Sequence, residues 1–232
     1  MKPSVARVKQ LYGETLPPAY DDRPLSLPHR VLRAAKLVVG DALYDFNSQA
    51  VQAIEAVGLA PGDRVLVFCC GTGREFAAIR ERIGAEGTIL GVDFSVAMLA
   101  RAQYTIEREG WTNVTLLEGD VTEFEPPGGT SFDVGLCTLG MSIIPDWAAA
   151  FDALLGAVRP GGGMVVGDLQ LATGVRALLN PLVSWWTRPY GGSLEGHANT
   201  RALFEHMERE LDVVATGEDG HGTYRFCAAR RR

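Results

Sequence analysis

Gly71 and Gly73 flank Thr72 just after the apolar run Val65-Leu66-Val67-Phe68 and the adjacent thiols Cys69 and Cys70, and an acid, Asp93, stands twenty positions beyond Gly73. Glycines in that place suit one kind of chemistry. Without a Cβ, the backbone can turn tightly and approach a ligand, and the amides that open the next helix face outward as donors to a polar or anionic group. A carboxylate at that distance, closing the following strand, can accept both hydroxyl hydrogens of a ribose. Gly71-x-Gly73 with Asp93 therefore points to a nucleoside ligand; the plainer alternative is an ordinary strand-to-helix turn and a surface acid. A dinucleotide fits poorly, because the third glycine of its fingerprint would fall at Phe76, whose ring obstructs the approach of helix and pyrophosphate.

The cysteines read as packing. Cys69 and Cys70 are neighbours and cannot readily bridge each other, Cys137 and Cys227 lie in apolar stretches, and no spacing suits zinc, so four free thiols and no metal are expected. A net charge of −6 and a pI near 5.3 argue against a large phosphate-binding face and thus against nucleic acid as partner. The arginine run at 230–232 is expected to be a solvated tail.

These residues need elements that bring them together, and the hydrophobic pattern supplies them. "RVLVF" is a short buried strand, and after the glycine turn Phe76, Ile79 and Ile83 share one helix face. "TILGVD" is a second strand, followed by Ser95 as cap of a helix with Met98, Ala102 and Ile106 on one side. "NVTLLEGD" and "FDVGLCTL" are the third and fourth strands; Pro145 and Asp146 then open a helix carrying Trp147, Phe151, Leu154 and Val158, and "RPGGGMVVGD" turns into the fifth. Ahead of them Ser48 is expected to cap a helix with Val51, Ile54 and Val57 inward and Gly58 as its stop. Continuous apolar strands alternating with amphipathic helices predict an α/β fold of the doubly wound, Rossmann-like class. "LDVVATGEDGHGTYRFCAAR" adds an antiparallel hairpin, making seven strands. Ligands in such sheets lie beyond the carboxyl ends of the strands, which here are Cys69 to Gly73, Asp93, Asp120, Cys137 with Thr138 and Leu139, and Asp168.

Residues 1–46, rich in proline and charge, read as an arm or lid, and 47–232 as one domain with an acceptor-side insertion at about 171–200. No run of 18 apolar residues suggests a membrane span, and the first residues lack the apolar segment of a secretory signal, so the expected location is cytoplasmic.

From Tyr44 to Asp168 the chain resembles the class I S-adenosylmethionine-dependent methyltransferases. "VLVFCCGTG" looks like their first motif, "GVDFS" like the acidic second-strand motif, "LLEGDV" like the adenine-contacting motif, and "FDVGLCTLGMSIIPDW" and "VRPGGGMVV" like the fourth-strand motif and the turn into the fifth. "LYDFNSQAVQAI" is also similar, more loosely, to the quinone-biosynthesis and phospholipid N-methyltransferase groups. The resemblance implies that Cys69, Cys70, Gly71, Thr72 and Gly73 pass under the methionine part of S-adenosylmethionine, with Cys137 and Thr138 beside them, and that Asp93 binds its ribose. Phe94 or Met98 would flank the adenine, Asp120 and the Val121 amide would read its edge, and Tyr44 would close over the sulfonium. Asp120 as a turn cap and Tyr44 as a core tyrosine are the alternatives. Two positions depart from the family: the first strand carries Val67 where an acid is usual, and Cys69 stands where a glycine is usual.

The sulfonium is already activated, so the protein mainly aligns the acceptor and excludes water, and a base is optional. Ser142, Tyr190 and His197 are the weak candidates for one, each equally readable as structural. A site so sparse suits an amine, a carbon nucleophile or an already ionised acceptor. The stretch "LATGVRALLNPLVSWWTRPYGG" is an apolar lid over the acceptor, an interfacial anchor toward lipid, or a helix packed on the sheet. The expectation is methyl transfer to a small, apolar or lipid-like acceptor, with peripheral membrane contact in view; the alternative is a degenerate relative that binds the cofactor as a scaffold or for a non-methylating reaction.

Overall fold

The computed structural model describes residues 10–12, 46–129, 131–188, 191–219 and 222–232. Its strands are β1 (Arg64–Phe68), β2 (Thr88–Asp93), β3 (Val114–Glu118), β4 (Phe132–Thr138), β5 (Val158–Leu169), β6 (Asp212–Glu218) and β7 (Tyr224–Arg230). They form one sheet in the order β3-β2-β1-β4-β5-β7-β6. The first five run parallel, while β7 enters antiparallel between β5 and β6. The chain winds outward from β1 first to one side and then, with β4, to the other, so a crevice opens beyond the carboxyl ends of β1 and β4.

The helices are α1 (Phe46–Val57), α2 (Phe76–Ile83), α3 (Val96–Arg108), α4 (Trp147–Ala157), α5 (Asn180–Thr187) and α6 (Leu194–Glu210). Side chains alternate across a strand. Val65 and Val67 accordingly pack with Ile54 of α1, Ile79 of α2 and Ala102 of α3 on one face of the sheet. Leu66 and Phe68 pack with Phe151 of α4 and Phe204 of α6 on the other. A fully buried Leu or Phe contributes about 1.5 to 3 kcal/mol, so these two layers dominate the adhesion of helices to sheet.

Local signals are placed as the residue types require. Ser95 caps α3, its Oγ accepting from the Met98 amide at 3.2 Å, and Asp146 caps α4 by accepting from the Ala149 amide at 3.1 Å. Gly58, just past α1, takes φ +67°. Two positions differ from expectation: Ser48 lies inside α1, and Val158 is the first residue of β5, not the last of α4. The stretch after β5 leaves the sheet as a 3₁₀ turn over Gly174–Leu179, then α5, with Val175 and Leu178 each 86% exposed, before α6 returns to bury Leu203, Phe204 and Met207. Among the described residues no helix is long and apolar enough to cross a membrane.

The terminal arginines are not a solvated tail. Arg230 donates to the Val57 carbonyl (2.6 Å) at the end of α1, and Arg231 to the Leu155 (2.7 Å) and Gly156 (3.3 Å) carbonyls of α4. Arg232 donates to the Arg209 (2.8 Å) and Leu211 (3.2 Å) carbonyls at the end of α6. Each guanidinium meets helix-end carbonyls that lack intrahelical partners and carry the negative pole of the helix.

Candidate functional site

The crevice holds a cavity whose floor is the turn between β1 and α2. Cys69 there has φ +51°, Gly71 +52° and Gly73 +77°, a left-handed conformation that a side chain rarely adopts. Cys69 thus takes the backbone conformation natural to a glycine while keeping its thiol. The two glycines have different reasons. A Cβ on Gly73 would lie 2.5 Å from the Phe76 ring, so Gly73 clears space for a core residue and does not line the cavity. A Cβ on Gly71 would meet no protein atom nearer than the Cys69 carbonyl at 4.0 Å, and Gly71 does line the cavity. The cradle for a ligand is therefore Gly71, with Cys70 and Thr72 beside it.

Asp93 joins that cradle to the second strand. Its Oδ2 accepts from the Gly71 amide and its Oδ1 from the Ser95 amide, both at 2.9 Å. Burial raises its pKa, opposed by these amides and that of Phe94. A carboxylate oxygen accepts more than one hydrogen bond, so Asp93 can hold the turn and still take hydroxyls from a ligand in the cavity it lines. At the end of β3, Asp120 Oδ1 accepts from the Thr122 amide (3.1 Å) and hydroxyl (2.8 Å). Asp120 is thus a turn cap, and it also lines the cavity with Val121. Phe94 and Met98 form an apolar wall. The Tyr12 ring meets Phe94 edge-on at 6.3 Å, and the Tyr12 carbonyl accepts from Ser95 Oγ at 2.6 Å. Tyr44 lies outside the described residues; among those described, Tyr12 is the aromatic of the N-terminal stretch that lines the cavity.

On the β4 side Thr138 lines the cavity and its hydroxyl donates to Glu75 Oε1 at 2.6 Å. Cys137, by contrast, points into the core beneath α4 and does not line the cavity. Its sulfur accepts from or donates to Cys69; that contact and burial push the Cys69 thiol well up, and burial pushes Cys70 up as well. These are protonated thiols, not nucleophiles. Val67, at the position of the missing acid, is buried in the layer under α1 to α3.

Neither described candidate for a base lines the cavity. The Ser142 amide donates to Asp168 Oδ2 and its hydroxyl to Oδ1, both at 2.8 Å, and the Leu169 amide adds a third bond at 2.7 Å. Ser142 thus fastens the segment after β4 to the end of β5, and its proton is committed to a carboxylate. Burial pushes the Asp168 pKa up to about 6. His197 is fully enclosed in α6, its Nε2 3.5 Å from the Thr187 hydroxyl and its Nδ1 without a partner. Burial brings its pKa down to about 4 and leaves the ring neutral. Tyr190 lies outside the described residues.

The sequence reading missed Glu75, Tyr12, and Ile143 with Ile144, which line the cavity beyond β4. A signal existed for Glu75 alone: an acid opening the helix right after a ligand-binding turn.

Residues 65–162 match the family model described as the methyltransferase domain. Among curated proteins the chain is 30% identical over 114 residues to a demethylmenaquinone methyltransferase of Bacillus velezensis, covering 49% of this chain and 48% of that one. The chain thus spans about half the length of the curated relatives it matches. Among solved structures it is similar to a SAM-dependent methyltransferase from Aquifex aeolicus, with a TM-score of 0.63, 15% identity and coverage of 88% and 98% of the two chains. A magnesium protoporphyrin IX methyltransferase from Synechocystis with bound SAH gives a TM-score of 0.61 and 17% identity over 92% and 91%. The sheet order, with the Gly71 cradle and Asp93 at the second strand, is thus joined to a methyltransferase-domain match over residues 65–162 and to the fold of solved S-adenosylmethionine-dependent methyltransferases.

Proposed function

We propose that this chain transfers the methyl group of S-adenosylmethionine to a small, apolar acceptor with a quinone-like ring. One observation carries the cofactor half: the Gly71 amide and the Asp93 carboxylate are bonded to each other across the crevice, both on the wall of one cavity. Bound S-adenosylmethionine would supply an activated methyl. The chain's part is to hold the nucleoside with Asp93, Phe94, Met98, Asp120 and Val121, to pass Gly71 beneath the sulfur end, and to keep water out with the apolar Leu139, Ile143 and Ile144. Alignment and exclusion of this kind are worth up to roughly 7 to 11 kcal/mol.

The acceptor half rests on two supports. The curated relatives are named for a demethylated menaquinone. The cavity wall beyond β4 is apolar, built from Leu139, Ile143 and Ile144, which suits an apolar ring. The test has two arms. Calorimetry with S-adenosylhomocysteine should show binding by the wild type; none would overturn the cofactor assignment. Labelled methyl from S-adenosylmethionine should appear in reduced demethylmenaquinone presented in detergent. Transfer only to phospholipid or amine acceptors would overturn the quinone assignment, and transfer to none of the three would favour a scaffold that binds without methylating.

A further inference from the structure

Among the described residues the two most exposed large apolar side chains are Val175 and Leu178, three apart in the 3₁₀ turn after β5. Residues at that spacing in a 3₁₀ helix stand one above the other, so the pair presents one apolar side to solvent. Trp185 of α5 and Leu194 at the start of α6 follow at 54% and 48% exposure. The exposure is built into the chain. Asn180 clasps the turn at its base, its Nδ2 donating to the Ala172 carbonyl (3.0 Å) and its Oδ1 accepting from the Ala172 amide (2.8 Å), while Arg201 of α6 donates to the Leu171 carbonyl at 2.6 Å. At the far end Thr187 is buried, and its carbonyl accepts from the Gly192 amide at 3.0 Å. Val175, Leu178 and Trp185 therefore lie between two fastened ends. A fixed apolar face left in water forfeits burial energy and marks a surface that something else covers.

Charge says what covers it. Residues 169–194 carry two arginines, Arg176 and Arg188, both exposed, and no Asp or Glu; all 28 acids lie elsewhere in a chain of net charge −6. An anionic surface is repelled by the rest of the molecule and is admitted here. Glu218 of β6 comes to the same space beside Gly222 as Arg176, so the apolar side chains carry most of the attachment and the arginines set its direction. Exposed tryptophan among apolar residues and arginines suits the boundary between water and lipid. The face is also continuous with the cavity. In the turn after α5, a Cβ on Gly191 would lie 3.4 Å from Ile143, which lines the cavity wall.

We infer that residues 174–187 dock the protein on an anionic bilayer surface, so that the acceptor passes from lipid to the Ile143 wall without crossing water. The delivery route rests on the apolar acceptor proposed above; the docking itself rests on the exposed face and its charge.

Sedimentation with vesicles of phosphatidylcholine, with and without phosphatidylglycerol, tests the docking. The wild type should bind the anionic vesicles more tightly than the neutral ones, and added salt should narrow the difference. Leu178→Glu should weaken binding by about tenfold or more, the loss of one buried leucine, and Arg188→Glu by about fivefold or more. Both variants should keep the wild-type melting temperature and affinity for S-adenosylhomocysteine. Methyl transfer to an acceptor carried in the vesicles should fall with binding, while transfer to the same acceptor in detergent stays at the wild-type rate. No binding to either vesicle, or binding that both substitutions leave unchanged, would overturn the docking face and leave the acceptor reading standing. Self-association in lipid-free buffer that Leu178→Glu abolishes would overturn it in favour of a second copy of the chain. A wild type that binds anionic vesicles but methylates no quinone would sink the acceptor reading and the delivery route, and keep the docking face.

Discussion

Cys69 and Gly140 occupy one volume between them. A Cβ built on Gly140 would lie 2.6 Å from the Cys69 Cβ and 2.8 Å from its sulfur, with the Cys137 sulfur at 3.0 Å. The first strand carries a side chain where the turn calls for glycine, and the loop after β4 gives up its own side chain in return. Gly140→Ala should therefore destabilise by about 1 to 3 kcal/mol through overpacking, since φ −118° at that residue is open to alanine. In a Cys69→Gly background the same change should cost less, with the Cys137 sulfur as the remaining close contact, a coupling that a double-mutant cycle in urea would read directly. Additive costs would show that the two sites do not share the space.

Asp93 serves the turn as well as any ligand, so its removal has two readouts. Asp93→Ala leaves the half-buried Gly71 amide and the buried Ser95 amide without their acceptor, and should lower stability and cofactor affinity by about 1 to 3 kcal/mol each. Thermal melts with and without S-adenosylhomocysteine would measure both, and an unchanged ligand-induced shift would refute the ribose assignment.

Asp168 and His197 pull stability in opposite directions over the same pH range. Asp168 binds its proton more tightly folded, with a pKa of about 6 against an ordinary 3.8, so its contribution is full in acid and declines as pH rises through 6. His197 binds its proton less tightly folded, about 4 against 6.5, so its contribution is full above 6.5 and is lost as pH falls toward 4. Each is worth about 3 kcal/mol at most. The two slopes should nearly cancel in the wild type. His197→Phe should then lose stability as pH rises from 4 to 6, whereas Asp168→Asn should gain it over that interval. Denaturant midpoints across that window would test this; parallel profiles for all three proteins would sink it.

Ser142→Ala separates tether from base. Loss of a hydroxyl bonded to a buried carboxylate should cost about 1 to 3 kcal/mol of stability, while the pH dependence of kcat for methyl transfer keeps its shape. A lost or shifted limb in that profile would return Ser142 to the list of proton acceptors.

The sheet was legible because its strands are covered on both faces, which turns each into a continuous apolar run such as Val65 to Phe68. Asp93 and Asp120 were legible for a related reason: an acid at the end of such a run has the crevice in front of it. The glycines were harder. Gly71 and Gly73 look alike in sequence, but one faces a cavity and the other the Phe76 ring, a distinction set by a side chain three positions on. Cys137 and Thr138 are neighbours on a strand, so they point to opposite faces, and which one meets the crevice depends on register. The tether made by Ser142 was not legible because its partner, Asp168, is 26 residues away in sequence. Tyr12 was invisible for want of any periodic pattern to bring the N-terminal stretch to the crevice.

The arginines at 230–232 each fasten the end of a different helix, α1, α4 or α6. α1, α4 and α6 come from the beginning, middle and end of the sheet's sequence, yet each keeps its last turn with the help of the same three residues. Replacing these three arginines would therefore loosen the protein at three helix ends at once.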